Sequence, residues 1–256
     1  MKFSALIRIG AAIAVVAVIA AAGAAFALLH GRANTLGLAQ PAHRSPAASP
    51  PANDPLAEAC RRPAMPSGSP AGAAGLWTVQ PGSVVGYRAH EKFAELPSPH
   101  EAVARTQQVA GWILVKVSGQ VQIETGCIAV DVRTLNSVDQ LPGFNTADRD
   151  RSARDMLGAI GHPYVIFQPY PAAFALNPSS GEVQHATLAG DLEISGVTRS
   201  ASFALDLRLA DGQLSAAGAC TVQVGDFGIE VPEEAGGFVQ VDPRITLEIS
   251  LILGRS

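Results

Sequence analysis

What this chain lacks narrows its chemistry first. Its 256 residues contain no Gly-x-Ser-x-Gly elbow, no His-Glu-x-x-His, no Cys-x-x-Cys and no glycine-rich phosphate loop. Serine hydrolases, zinc peptidases, dithiol redox proteins and nucleotide-binding enzymes therefore lose their usual signatures. The six histidines, His30, His43, His90, His100, His162 and His185, show no metal-ligand spacing. No catalytic residue, metal or cofactor is expected.

Cysteine is scarce and odd in number. Cys60, Cys127 and Cys220 cannot all pair within one molecule. Cys60 stands beside Arg61 and Arg62, which favour its thiolate, whereas Cys127 and Cys220 fall in or beside strand-like runs and read as buried thiols. Clusters of basic residues are also missing. Residues 1–75 carry six basic and two acidic groups, and residues 76–256 carry twelve and twenty. The C-terminal part alone is thus at -8, a sign that disfavours nucleic acid and anionic headgroups as main partners.

Charge is absent altogether from Gly10 to Leu29. A helix of that length matches the roughly 30 Å hydrocarbon core of a bilayer. Lys2 and Arg8 precede the run, so the positive-inside rule keeps residues 1–9 cytoplasmic and sends the remainder outward. Residues 10–30 are therefore expected to be a single-pass anchor. The alternative is a signal peptide cleaved near Ala25-Phe26-Ala27, whose apolar core would ordinarily run only about 7–15 residues. Residues 31–75 hold eight of the eighteen prolines among Ala, Ser and Gly. That composition predicts a disordered spacer holding a domain, residues 76–256, away from the membrane.

From Trp77 onward, short runs of Val, Ile, Leu and Thr alternate apolar with polar and are broken by Gly, Pro, Asn and Asp. This is the pattern of antiparallel β-structure. Strands are expected over Ser83 to Glu91, Gln107 to Val117, Gln120 to Glu124, Ile128 to Leu135, Tyr164 to Ala175, Glu182 to Ile194, Ala201 to Leu209, Gln213 to Val224 and Asp242 to Leu253. Each has one apolar face, and eight or nine such strands can close into a barrel without exposed edges. One short helix is expected over Asp148 to Ile160, stopped by Pro163, either as a lid on the barrel or as a surface connector. Its Arg149, Arg151 and Arg154 interleave with Asp148, Asp150 and Asp155, and read as a self-paired solvated face rather than a binding site for a pyrophosphate.

Two short segments invite other readings. Asp226-Phe227-Gly228 lacks the companions of a kinase metal triplet and reads as a strand end, with Phe227 packed inward and Gly228 relieving a bend. Gly196 reads as a turn glycine, with Asp191 and Arg199 flanking it and able to pair.

Several of these residues, in order, resemble the YceI-like family, described as polyisoprenoid-binding and lipocalin-like. They are Ser83-Val84-Val85-Gly86-Tyr87, Arg149-Asp150, Pro163 with Phe167, Gly190-Asp191-Leu192 with Gly196-Val197-Thr198, and Asp226-Phe227-Gly228. The resemblance covers Trp77 to Leu253. It implies an all-β fold, an eight-stranded antiparallel lipocalin-like barrel with one short helix, and an apolar channel for an isoprenoid or other long-chain lipid. It also implies export from the cytoplasm. Two departures stand out. Many members carry a histidine near the end of the first strand, where this chain has Glu91, with His90 on the opposite face. The Ala- and Glu-containing segment before Gln107 makes the first loop long.

Taking the inward phase of each strand, the residues expected to contact a ligand are Val85, Tyr87, Ile113, Val115, Val130, Val132, Phe167, Leu192, Ile194, Phe203, Leu205, Val222, Leu247 and Ile249. A structural envelope module with a filled barrel is the second reading. An enzyme acting on a lipid-like substrate is the third, and it requires a polar cluster in the lumen, of which Glu91 is the only hint.

Overall fold

In the computed structural model the described residues are 34–39, 54–61, 74–93, 99–117, 120–140, 145–175, 181–231 and 239–255. The expected membrane anchor over residues 10–30 lies outside them. Among the described residues no helix is long and apolar enough to cross a membrane.

Twelve strand segments form one antiparallel sheet: β1 (Gly75–Val79), β2 (Val84–Phe93), β3 (His100–Thr106), β4 (Val109–Val117), β5 (Val121–Asp131), β6 (Asn136–Ser137), β7 (Tyr164–Pro169), β8 (Ala172–Phe174), β9 (Val183–Ile194), β10 (Val197–Ala210), β11 (Gln213–Gln223) and β12 (Val239–Arg255). The early segments join end to end. β1 and β2 share one edge of β12, at Val79↔Leu253 and Ser250↔Val84, while β1 pairs β4 and β2 pairs β3. The sheet is therefore an up-and-down barrel of eight staves, closed where β1 bonds both β4 and β12. Closure leaves no long unpaired edge.

The later hairpins are set by turn chemistry. Ser195 and Gly196 join β9 to β10 with φ of 52° and 77°, and Asp211 and Gly212 join β10 to β11 with 52° and 72°. Two consecutive left-handed residues match the right-handed twist of the strands they connect. Between such turns the burial of β10 alternates, with Phe203, Leu205, Leu207 and Leu209 inside.

Several boundaries differ from expectation. The segment before Gln107 is not a long loop: it is β3, whose Ala102, Val103 and Ala104 are buried against β2 and β6. Alanine and glutamate are poor strand formers, but pairing on both sides overrides that preference. Gln120 to Glu124 and the first half of Ile128 to Leu135 merge into a single strand, β5, which runs through Gly126 and stops at Asp131, where Val132–Thr134 form a 3₁₀ turn. Tyr164 to Ala175 is split into β7 and β8 at Tyr170 and Pro171.

The helix spans Thr146–Met156, not Asp148 to Ile160. Asn145 caps it, its side chain accepting from the Ala147 N–H, and Gly158 ends it with φ 66°. Phe227 is buried as expected, but Val224–Phe227 form a 3₁₀ turn ended by Gly228 at φ 72°. Asp191 and Arg199 do not pair. Asp191 accepts from the Tyr170 hydroxyl, and Arg199 donates to the Thr198 carbonyl.

The larger correction concerns the outside of the barrel. Cys60 and Cys127 form a disulfide, so Cys60 is not a free linker thiol nor Cys127 a plain one; Cys220 is free and buried. The bridge fastens a five-residue helix, Pro55–Ala59, to the outer wall, where Leu56 packs with Trp112, Cys127 and Ala129. The Trp112 indole donates to the Cys60 carbonyl at 2.9 Å. Upstream, residues 34–39 lie along a different part of the outer wall, across β2, β12 and β10. The Asn34 carbonyl accepts from Arg88 and Arg105, the Leu36 N–H donates to Glu248, Ser250 donates to the Gly37 carbonyl, and Arg208 donates to that of Ala39. The expected spacer is therefore docked at two places. Its proline and alanine content concealed this because the contacts use main-chain groups and one cysteine.

Candidate functional site: an apolar hollow with a polar rim

The inward faces do not fill the barrel. A cavity at its centre leaves about 150 Å³ for the centres of water-sized molecules, where admitting one water takes only about 10–15 Å³ by that measure. Its walls come from nearly every stave. Val85 and Tyr87 project from β2, Ile113 and Val115 from β4, Val130 from β5, Phe167 from β7, Leu192 and Ile194 from β9, Phe203 and Leu205 from β10, and Leu247 and Ile249 from β12, while Val132 reaches in from the 3₁₀ turn after β5. Val222 is the exception. It is buried in the same core on β11 but does not border the hollow.

Sequence reasoning missed other lining residues on the same strands. Ile245 and Leu251 keep step with Leu247 and Ile249, Leu207 follows Leu205, and Val121 and Ile123 precede Val130 across Gly126. Their period-two phase was legible. Leu157 at the end of the helix, and Val224 and Ile229 around the 3₁₀ turn, are missed for another reason: no strand alternation marks them.

The hollow contains almost no polar group. Glu248 borders it, but its carboxylate points outward, accepting from Arg88 Nε at 2.8 Å and Arg105 Nε at 2.7 Å. The Tyr87 hydroxyl makes no hydrogen bond among the described residues. Burial raises its pKa to about 12, so it stays a protonated donor.

Toward one end the hollow runs into a mouth of about 380 Å³, sharing Tyr87, Leu157, Val224, Ile229 and Ile245 as common walls. The helix Thr146–Met156 lies over this mouth, lining it with Arg149, Ser152, Ala153 and Met156. It acts as a cover rather than a remote connector. Arg149 turns inward and is not a solvated cation: it donates to Asp139 at 2.6 Å and Ser137 at 2.7 Å, and stands 3.4 Å from Glu91. Arg151 pairs with Asp148, and Arg154 donates to the Leu135 carbonyl.

Glu91 is buried at this rim, and burial pushes its carboxyl upward against the pull of Arg149. Burial would also raise Asp139, but hydrogen bonds from His100 at 2.7 Å, Arg149 and the Val103 N–H outweigh it and hold the carboxyl down at about 2. Ser137 donates to Asp150 and accepts from Arg149, while His100 faces Asp139. No serine–histidine hydrogen bond forms among the described residues of the rim. Among the described residues no group of three or more His, Cys, Asp or Glu is placed to hold a metal.

Comparison with known proteins agrees with this geometry. The family model described as the YceI-like domain matches residues 90–253. Among curated proteins none matches. Among solved structures, a polyisoprenoid binding domain from Saccharophagus degradans has a TM-score of 0.53 at 13% identity, covering 72% of this chain and 99% of that one. BcnA of Burkholderia cenocepacia has a TM-score of 0.43 at 15% identity, with 66% and 95% covered. The YceI protein of Campylobacter jejuni has 0.35 at 10% identity, with 62% and 83% covered. A closed barrel of this topology, with the family's domain matched over most of its strands, places the chain in the YceI-like family.

Proposed function

We propose that the barrel binds the apolar chain of an isoprenoid or similar long-chain lipid, with the lipid head at the rim. One observation carries this reading: the centre is both unfilled and apolar. Water gains little there for want of polar partners, whereas each buried methylene contributes about 0.8 kcal/mol. About ten carbons would thus supply on the order of 8 kcal/mol, against several kcal/mol of lost freedom. The likeness to a polyisoprenoid binding domain supports the same ligand class.

The rim narrows the head group. Arg149 is engaged by Asp139 and Glu91, with Asp148 and Asp242 nearby. A phosphate would displace one of those carboxylates, so an uncharged head able to accept from Tyr87 fits better. The role is binding, not catalysis.

In the same reading the apolar run over residues 10–30 tethers the barrel on the extracytoplasmic side of a membrane. The disulfide supports that side, because such bridges persist in oxidising compartments. The test is to purify the full chain from membranes and extract it with organic solvent. Recovery of stoichiometric long-chain lipid is expected. Lipid-free protein that also takes up no added isoprenoid alcohol overturns the reading and favours the filled structural module.

A further inference from the structure

The strap over residues 34–39 has a direction, and it fixes how the barrel is presented. We infer that the cavity mouth is held against the bilayer from which the chain emerges, so that the interaction surface of this protein is its mouth end and the partner is the lipid surface. The inference rests on the proposed anchor at residues 10–30 and goes beyond it.

The strap is built into the wall. Arg88 and Glu248 are buried polar residues on strands β2 and β12, and with Arg105 they hold both the Asn34 carbonyl and the Leu36 N–H. Leu36 lies beside a floor of Ala204, Ala217 and Gly218. A Cβ on Gly218 would meet the Ala204 carbonyl at 1.9 Å, so the small residue there follows from close strand approach. The contacts proceed from Glu248 through Ser250 to Arg208, which sits on β10 beside Ser215, itself paired with Ile252. The strap thus runs away from the mouth, which β12 borders at Val239, Val241, Asp242 and Ile245. Asn34 is therefore the end of the strap nearer the mouth.

The distances are short. Leu29 ends the apolar run five residues before Asn34, a reach of at most about 17 Å. Along β2, from Arg88, which holds Asn34, to Phe93, the partner of Val239 at the mouth, is five residues, about 13 Å of barrel axis after a tilt near 40°. A tether of that reach lets the end of the apolar run stand at the level of the rim but little beyond it. A free 45-residue spacer would impose no such limit.

A separate feature of the same end agrees. Ile160 is 96% exposed, the most exposed large hydrophobic side chain among the described residues. It sits between Gly158 and Gly161 at the foot of the covering helix, and the following His162 packs against the Ser195–Gly196 turn at this end of the barrel. Single exposed apolar side chains are common, but a fully exposed one at this end suits contact with lipid.

The test uses the full chain in vesicles of phosphatidylethanolamine and phosphatidylglycerol, with a fluorophore at Ile160→Cys or, at the opposite end, at Asp211→Cys. Cys220 is buried and the other two cysteines are joined. With nitroxide on the lipid head groups, quenching at position 160 and none at 211 is expected. A flexible insertion of about twenty Gly and Ser residues after Gly31 adds roughly 25 Å of reach. It leaves the wall contacts untouched and should abolish the quenching. Protein that floats with vesicles but shows equal quenching at both sites, or unchanged quenching after the insertion, overturns the inference alone. Protein that does not float overturns the anchor as well.

Discussion

The two faces of one barrel wall follow opposite rules. On β12, Leu247 and Ile249 look into the hollow, while Glu248 and Ser250 look out to the docked strap. On β5, Ile128 and Val130 look in, while Cys127 and Ala129 look out to the disulfide-held helix. Adjacent residues thus serve different partners because side chains alternate along a strand. Two patches of the outer wall are covered by the protein's own N-terminal segment, through hydrogen bonds to its main chain, apolar packing and a covalent bridge. The inner wall offers only dispersion and the hydrophobic effect, and no described residue covers the hollow. The contrast teaches where the proposed guest would sit: the face left uncovered by the described residues is the apolar one.

Filling the inner face is the strongest way to break the contrast. Leu247→Trp with Ile249→Trp places two indoles in the hollow; lipid affinity should fall by more than about 4 kcal/mol, a thousandfold, while circular dichroism stays that of a β-barrel. Retained lipid at wild-type level, measured by extraction, means the guest lies elsewhere.

The outer face is probed by Cys60→Ala with Cys127→Ala. A closed loop set by a sequence separation of 67 is worth about 4 kcal/mol in the chain-entropy relation. Denaturant unfolding should show that loss, with lipid binding preserved. Loss of binding with stability intact would mean the two faces are not independent.

At the rim, where the faces meet, the expected effect is smaller and depends on pH. The Asp139 carboxyl is depressed in the folded protein to about 2. A depressed carboxyl contributes stability above its unfolded pKa of about 4, and this is lost as pH falls toward 2. That contribution, about 2 kcal/mol, should vanish from the acid limb in Asp139→Asn. An unchanged acid limb by urea titration at pH 2–5 would discount the network.

The smallest effect belongs to Tyr87→Phe. Removing a hydroxyl that makes no hydrogen bond among the described residues should cost stability less than about 1 kcal/mol. It should weaken lipids with a hydrogen-bonding head relative to plain hydrocarbons. Equal affinities before and after would remove Tyr87 from head recognition.

How much of this was legible in sequence follows from the same alternation. The eight-stave barrel and its inward residues could be read because each strand repeats with period two and the turns at Gly196 and Gly212 demand left-handed backbone. β3 escaped because its inner face is built of alanines, Ala102 and Ala104, which carry little apolar signal. The rim network escaped because Glu91, Asp139 and Arg149 are 48 and 10 residues apart along the chain and meet only through folding. The bridge from Cys60 to Cys127 escaped because an odd cysteine count does not say which thiols pair.

The central claim is that the hollow is occupied by a lipid, and native mass spectrometry of the full chain released from detergent tests it most directly. The account predicts a complex heavier than the polypeptide by one long-chain lipid, returning to the bare mass on denaturation. The bare mass under native conditions, unchanged after incubation with an isoprenoid alcohol, would contradict it.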